Sequence, residues 1–179
     1  MTLTIDRCWD GQAALPGEIA TVRLTADGAG LVLSVDAPFH RDPPPDAPPG
    51  PTWKLWEHEV VELFLVGRGD PVPYLEVELG PHGHHLVLRL DGIREITAST
   101  LPLAVDTHRD GDRWTARAAL PPALLPPGVH PGATIAVNAA AIHGVGSARR
   151  YLSSAPLPGD QPDFHRLHLF GTFTLPSAP

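Results

Sequence analysis

Apolar residues recur at every second position along much of this chain, and no segment holds helical spacing over three turns. A period of two places alternate side chains on opposite sides of an extended strand. Leu3 and Ile5 predict a short first strand, followed by a turn at Cys8-Trp9-Asp10-Gly11. Residues 20–25 align Val22 with Leu24, and residues 31–36 align Leu31, Leu33 and Val35. Asp27-Gly28 between them is a hairpin signal. Further on, residues 74–79 set Leu75, Val77 and Leu79 against Tyr74, Glu76 and Glu78, and residues 84–90 set Leu86, Leu88 and Leu90 against Arg89. Residues 113–120 oppose Trp114, Ala116 and Ala118 to Thr115 and Arg117, and residues 134–142 oppose Ile135, Val137 and Ala139 to Asn138. A weaker strand is expected near residues 103–105, with a turn at 108–112 and a single helical turn at 123–125. Residues 144–163 read as a loop, and residues 164–175 close the fold.

One run breaks the alternation. Residues 55–66, Leu-Trp-Glu-His-Glu-Val-Val-Glu-Leu-Phe-Leu-Val, predict the most apolar strand, over about residues 58–66. Within it Glu62 shares a face with Val60 and Phe64, so it should be partly buried and in need of partners. Just before it, residues 38–51 are crowded with proline, which fixes φ and removes a backbone donor. They predict a stiff surface loop folded over one end of the molecule. Many short strands with turn signals about every 8–12 residues argue for an all-β fold, a two-sheet antiparallel β-sandwich in one domain over residues 1–179.

If every strand turns its apolar set to one core, the other face gathers Glu62, Tyr74, Glu76, Glu78, Arg89, Arg117 and Asn138. Two readings stay open. Such a face can be solvated, with cross-strand ion pairs worth up to ~1 kcal/mol each. It can also be a polar concavity that hydrogen-bonds a hydroxyl-rich ligand. Trp53 and Trp56 fit either an aromatic platform for a sugar ring or an apolar plug under the proline-rich loop. The candidate ligand-binding residues are Glu62, Glu76, Glu78, Asn138, His143, Trp53 and Trp56.

His82, His84 and His85 are closely spaced, but on a strand His84 and His85 point to opposite sides, and Cys8 is the only cysteine. No metal or cofactor is expected. Motifs for nucleophilic, phosphate-binding or zinc-dependent catalysis are missing from the sequence. Glu76 and Glu78 leave an acid–base pair as an alternative. The net charge of −7 carries no basic footprint for nucleic acid. A lone cysteine and the absence of an N-terminal apolar segment lead us to expect a cytoplasmic protein. No apolar run reaches the ~18–20 residues of a membrane span.

Three stretches resemble family 9 carbohydrate-binding modules and the related DOMON domains. Residues 56–67, WEHEVVELFLVG, and 74–88, YLEVELGPHGHHLVL, are similar to their paired strands, and residues 112–125, DRWTARAALPPALL, to a later strand. Residues 55–62, 79–83, 141–144 and 162–165 also resemble segments of a small uncharacterised family of DOMON-like proteins. The resemblance implies a sandwich of two antiparallel sheets and sugar or haem binding. The family's haem sites use a Met/His pair, whereas Met1 is the sole methionine here. Its sugar sites use tryptophans, for which Trp53 and Trp56 are the candidates by position. The leading expectation is a non-catalytic binding domain for a carbohydrate or another polar small molecule, monomeric or homodimeric. The alternatives are an enzyme acting on a sugar or cell-wall precursor, and a protein-interaction module.

Overall fold

The computed structural model describes residues 1–177. Its strands in chain order are β1 (Thr2–Ile5), β2 (Arg7–Cys8), β3 (Ala20–Asp27), β4 (Gly30–Pro38), β5 (Gly50–Pro51), β6 (Val60–Val66), β7 (Pro73–Leu79), β8 (His84–Asp91), β9 (Ile96–Ala98), β10 (Val105–Asp110), β11 (Arg113–Leu120), β12 (Thr134–His143), β13 (Arg150–Ser153) and β14 (Gly171–Thr174). They form two sheets. A five-stranded sheet runs β1-β3-β4-β11-β10, and a nine-stranded sheet runs β2-β13-β12-β6-β7-β8-β5, with β14 also on β12 and β9 on β8. Except for the short parallel pair β5–β8, the ladders are antiparallel. The expected all-β sandwich is the fold.

Alternation builds the first sheet directly. Along β11 the side chains switch strictly between exposed and buried, and Val22, Leu24, Leu33, Val35, Trp114 and Ala116 point inward. Gly28 turns β3 into β4 with φ of +56°, a conformation that costs a side-chain-bearing residue about 1 kcal/mol or more. From the facing sheet come Val61, Leu63, Leu65, Leu75, Val77, Leu79, Val87, Val137 and Ala139. Together these fill the space between the sheets.

The second sheet has a second core on its outer side. Leu55, Val60, Phe64, Tyr74, Leu86, Leu88, Leu90, Ala140 and Ile142 pack there against Leu157, Phe164 and Phe170 from the chain after β13. This explains why β6 is buried at all seven positions and why its sequence is apolar on both faces.

The register corrects the expected polar face. Leu86, Leu88 and Leu90 stand directly opposite Glu78, Glu76 and Tyr74, so they share the acids' side of the sheet. Arg89 lies on the other side, where its guanidinium donates to the Ala123 carbonyl. Arg117 belongs to the other sheet altogether, paired with Ser34 and Asp106. Alternation within a strand cannot distinguish a solvated face from a second buried one. Two boundaries also shift: β10 runs through Asp110, leaving Gly111 and Asp112 for the turn, and residues 144–163 contain β13 and a 3₁₀ turn at Gly146–Ala148.

Polar groups pin the proline-rich stretch to its neighbours. Glu59 accepts the backbone N–H groups of His40 at 2.9 Å and Asp42 at 3.2 Å. Asp42 accepts Gly144 N–H at 2.6 Å, and His84 donates to the Ala47 carbonyl at 2.9 Å. Gly50–Pro51 then pairs with the edge of β8, which caps that edge.

Candidate functional site

Glu62 on β6 pairs across the ladder with Glu78 on β7, and Glu76 lies two residues from Glu78 on the same face. Cross-strand partners sit ~4.5–5.5 Å apart, so this spacing forces three carboxyl groups together. One oxygen from each lies within 4.8 Å of the others. The residues are 2%, 3% and 0% exposed for Glu62, Glu76 and Glu78, burial that carboxylates rarely show without a partner. Among the described residues, both oxygens of Glu78 and Oε2 of Glu76 make no hydrogen bond of good geometry, although Glu76 and Glu78 lie close enough to share a proton and the Trp56 backbone lies near Glu78.

Burial therefore dominates their chemistry. It pushes Glu62 and Glu78 well above the usual carboxylate range, and the neighbouring carboxyls push them further. Burial likewise raises Glu76 to about 7. Like charges this close in a poorly solvated place cannot all ionise, so the group holds protons near neutral pH.

Glu62 and Glu76 face a cavity of about 400 Å³. Its walls include Trp53, Trp56, Leu88, Leu90, Ile142, Tyr151 and Phe164, with Arg94, Asp163 and His165 on one side. This size and mix, apolar walls with a few convergent polar groups, is that of a small-molecule site. The two tryptophans meet edge to face, with centroids 5.2 Å apart. Trp53 is 49% exposed and marks the mouth. Trp56 is carried by the 3₁₀ turn Leu55–Glu57, which opens at Lys54 with φ of +62°.

A polar chain stiffens the side wall. The Tyr74 hydroxyl lies 2.7 Å from His165 Nδ1 and accepts the Arg94 backbone N–H at 3.0 Å. Burial lowers His165 to about 4, so its ring is neutral and Nδ1 accepts the Tyr74 proton. Its other nitrogen, Nε2, stands 3.9 Å from Glu76 Oε2, too far for a hydrogen bond. The Arg94 guanidinium turns away to Asp163 at 2.7 Å, and Asp163 also accepts the His165 backbone N–H at 2.9 Å. Arg94 itself has φ of +64°. Of the four described non-glycine residues in the left-handed region, Arg94 lines the cavity and Lys54 opens the turn that carries Trp56, while Arg41 and Thr100 lie outside its walls.

Of the residues singled out by sequence, the fold brings together Glu62, Glu76, Glu78, Trp53 and Trp56. Asn138 is on the same side but spends its amide elsewhere. It donates to Ser153 Oγ at 3.0 Å, and its oxygen accepts from Ser154 Oγ at 2.8 Å and Ala155 N–H at 3.2 Å. It clamps the chain after β13 and is not among the cavity's walls. His143 faces the other side of β12. There it stacks on His40 at 3.5 Å, and its Nε2 lies 3.2 Å from Glu18 Oε1, which Arg150 holds at 2.7 Å. His82, His84 and His85 stay apart from the carboxyl group.

Sequence reading passed over Arg94, Tyr151, Asp163 and His165 as site residues. The clearest available signal was Pro162-Asp163-Phe164-His165, an acid, an aromatic and a histidine in one short run of a loop.

No family model matches the chain. It is 39% identical over 181 residues to the human UPF0462 protein C4orf33, covering 97% of this chain and 87% of that one. The mouse homolog is 40% identical with 97% and 91% covered, and the zebrafish (Danio rerio) homolog 38% with 99% and 90% covered. The chain therefore belongs to the UPF0462 family. Among solved structures it is similar to a Bacteroides uniformis protein provisionally described as carbohydrate-binding, with a TM-score of 0.77, 16% identity, and 98% and 86% of the chains covered. It is also similar to a family 9 carbohydrate-binding module from Caldicellulosiruptor kristjanssonii in complex with cellotriose. That TM-score is 0.63 at 14% identity, with 100% and 84% covered. At these identities the likeness establishes the sandwich, and function has to be argued from the site.

Proposed function

We propose that this UPF0462 protein is a non-catalytic binding domain whose cavity under Trp53 and Trp56 takes a carbohydrate or another polar small molecule. One observation carries the reading: aromatic faces enclose about 400 Å³ above carboxyl groups that are buried yet unpaired. A flat ring stacks on an indole, while a carboxyl group accepts from hydroxyls and, when protonated, also donates. The family 9 modules in complex with cellotriose and with glucose share the fold, which supports this reading by analogy. Isothermal titration against glucose, cellotriose and a panel of other sugars tests it. Saturable heat that Trp56→Ala reduces at least about tenfold is the expected result. Absence of heat from the whole panel rules out the carbohydrate version.

A second reading is favoured by the same carboxyl group. The cavity opens to solvent beside Trp53, and its glutamates pair with no lysine or arginine among the described residues. A spacing within 4.8 Å approaches the ~5–5.5 Å of retaining glycosidase carboxyls. Glu76, held near 7, would be the acid. Release of nitrophenol from aryl glycosides, abolished by Glu76→Gln, would replace the binding reading with a hydrolytic one.

A further inference from the structure

The carboxyl group is costlier than sugar binding requires. One acid in an apolar setting suffices to orient a hydroxyl, and here three share it. The opposite face of β7 shows what the position tolerates without function: Leu75, Val77 and Leu79, each 0% exposed. Burying an unpaired carboxyl costs several kcal/mol unless a counter-charge or a donor meets it.

Arg94 and Arg149 act on Glu76 and Glu62 only through space, and neither makes a direct contact with the group. Arg94 is committed to Asp163 at 2.7 Å. Arg149 is committed to backbone, donating to the Gly144 carbonyl at 3.1 Å and the Trp56 carbonyl at 2.5 Å. Neither reaches the oxygens of Glu76 and Glu78 that lack partners. Among the described residues no cation contacts these oxygens, and the cavity leads to Glu62 and Glu76.

We infer that the ligand of this cavity carries an ammonium group, as an amino sugar does, and seats it against Glu62 and Glu76, with Glu78 behind them in the same carboxyl group. The inference rests on the cavity being a binding site, and it names the chemical class that the site prefers. An ammonium brings three N–H donors and one positive charge to a group of acceptors that lacks both. Trp53 and Trp56 at the mouth suit a cationic ligand as well, since an indole face attracts ammonium. A bare divalent ion fits less well. Calcium takes ~6–8 oxygen ligands, and of the other residues lining the cavity only Asp163 adds a carboxylate, one already held by Arg94 at 2.7 Å. The volume, moreover, is that of a small organic molecule.

The test is calorimetric titration of the full chain at pH 7 with glucosamine, N-acetylglucosamine, glucose, cellotriose and manganese chloride in separate runs. Glucosamine should bind at least about tenfold more tightly than the two neutral monosaccharides, the scale of a charge-assisted hydrogen bond. Its heat should depend on the buffer, because the incoming charge expels protons from the carboxyls. Glu76→Gln and Glu62→Gln should each erase the preference, with thermal melts showing that both variants fold. Equal affinity for the three monosaccharides, or binding of cellotriose alone, overturns the ammonium preference and leaves the carbohydrate reading standing. No heat from any sugar overturns both. Tight manganese binding that Glu76→Gln abolishes makes the group a metal site and overturns the inference.

Discussion

On the outer face of the β1-β3-β4-β11-β10 sheet, Arg23, Asp36, His108, Thr115 and Arg117 stand exposed over an inner face that is apolar apart from the Thr107 hydroxyl. On the outer face of the β12-β6-β7-β8 sheet, Glu62, Glu76 and Glu78 are almost wholly buried, among Val60, Phe64, Leu86 and Leu88. Both faces carry charged side chains in strands of similar length. On the first, water solvates each charge, and Asp36 pairs with Arg113 at 2.5 Å in the open, a contact worth little. On the second, Trp56, Phe164 and Phe170 exclude the water, and the same residue types become expensive. Expense without a structural return is the mark of a site.

The contrast can be broken most severely at Phe64. It is 0% exposed on the covered face and packs on Phe170 with centroids 5.8 Å apart. Phe64→Ala should cost about 3–5 kcal/mol in urea unfolding, as core phenylalanines do. A loss under about 1 kcal/mol would mean that the second core is not a core.

The acids sharpen it through pH. Glu76 rises from 4.5 to about 7 on folding, so the folded state holds its proton more tightly than the unfolded chain. That contribution is full below about 4.5 and is lost as pH climbs through 7. His165, lowered from 6.5 to about 4, acts with the opposite sign over much of the same window, so the raw melting curve mixes the two. The groups facing Glu76 are Glu62, Glu78, Tyr74, Arg94, Asp163 and His165. Subtracting the parent from Glu76→Gln isolates the glutamate. The variant's advantage should grow between about pH 4.5 and 7, level off above, and gain up to about 3 kcal/mol over that window, or ~6–12 °C in Tm. A flat difference would mean that Glu76 titrates like a solvated acid.

Arg117→Ala on the open face should move stability by less than about 0.5 kcal/mol in the same urea assay. A larger loss would show that this face, too, has a hidden partner.

How far the chain was legible follows the same division. Strict alternation in residues 113–120 and 20–25 specified strands with one wet face, because each side chain reports its own surroundings. Residues 84–90 misled, since leucines at 86, 88 and 90 look like an inner face whichever side is covered. Glu62 was correctly marked as an acid in need of partners, and the hairpin spacing of Glu76 and Glu78 put them within reach. Asn138 and His143 could not be placed, because their partners, Ser153, Ser154, Glu18 and His40, come from segments distant along the chain.

The sequence by itself determined the longer strands, the sandwich and the run of apolar residues that encloses Glu62, because period and turn chemistry are local, while the short strands β2, β5, β9 and β13 escaped it. Only tertiary structure decided that this run has two cores, that residues 154–170 and the tryptophan turn close over the acids, and that Arg94 and Arg149 are bound elsewhere. Burial and the absence of a counter-charge belong to the surroundings of a residue, and those surroundings are assembled from segments that no single stretch of chain contains.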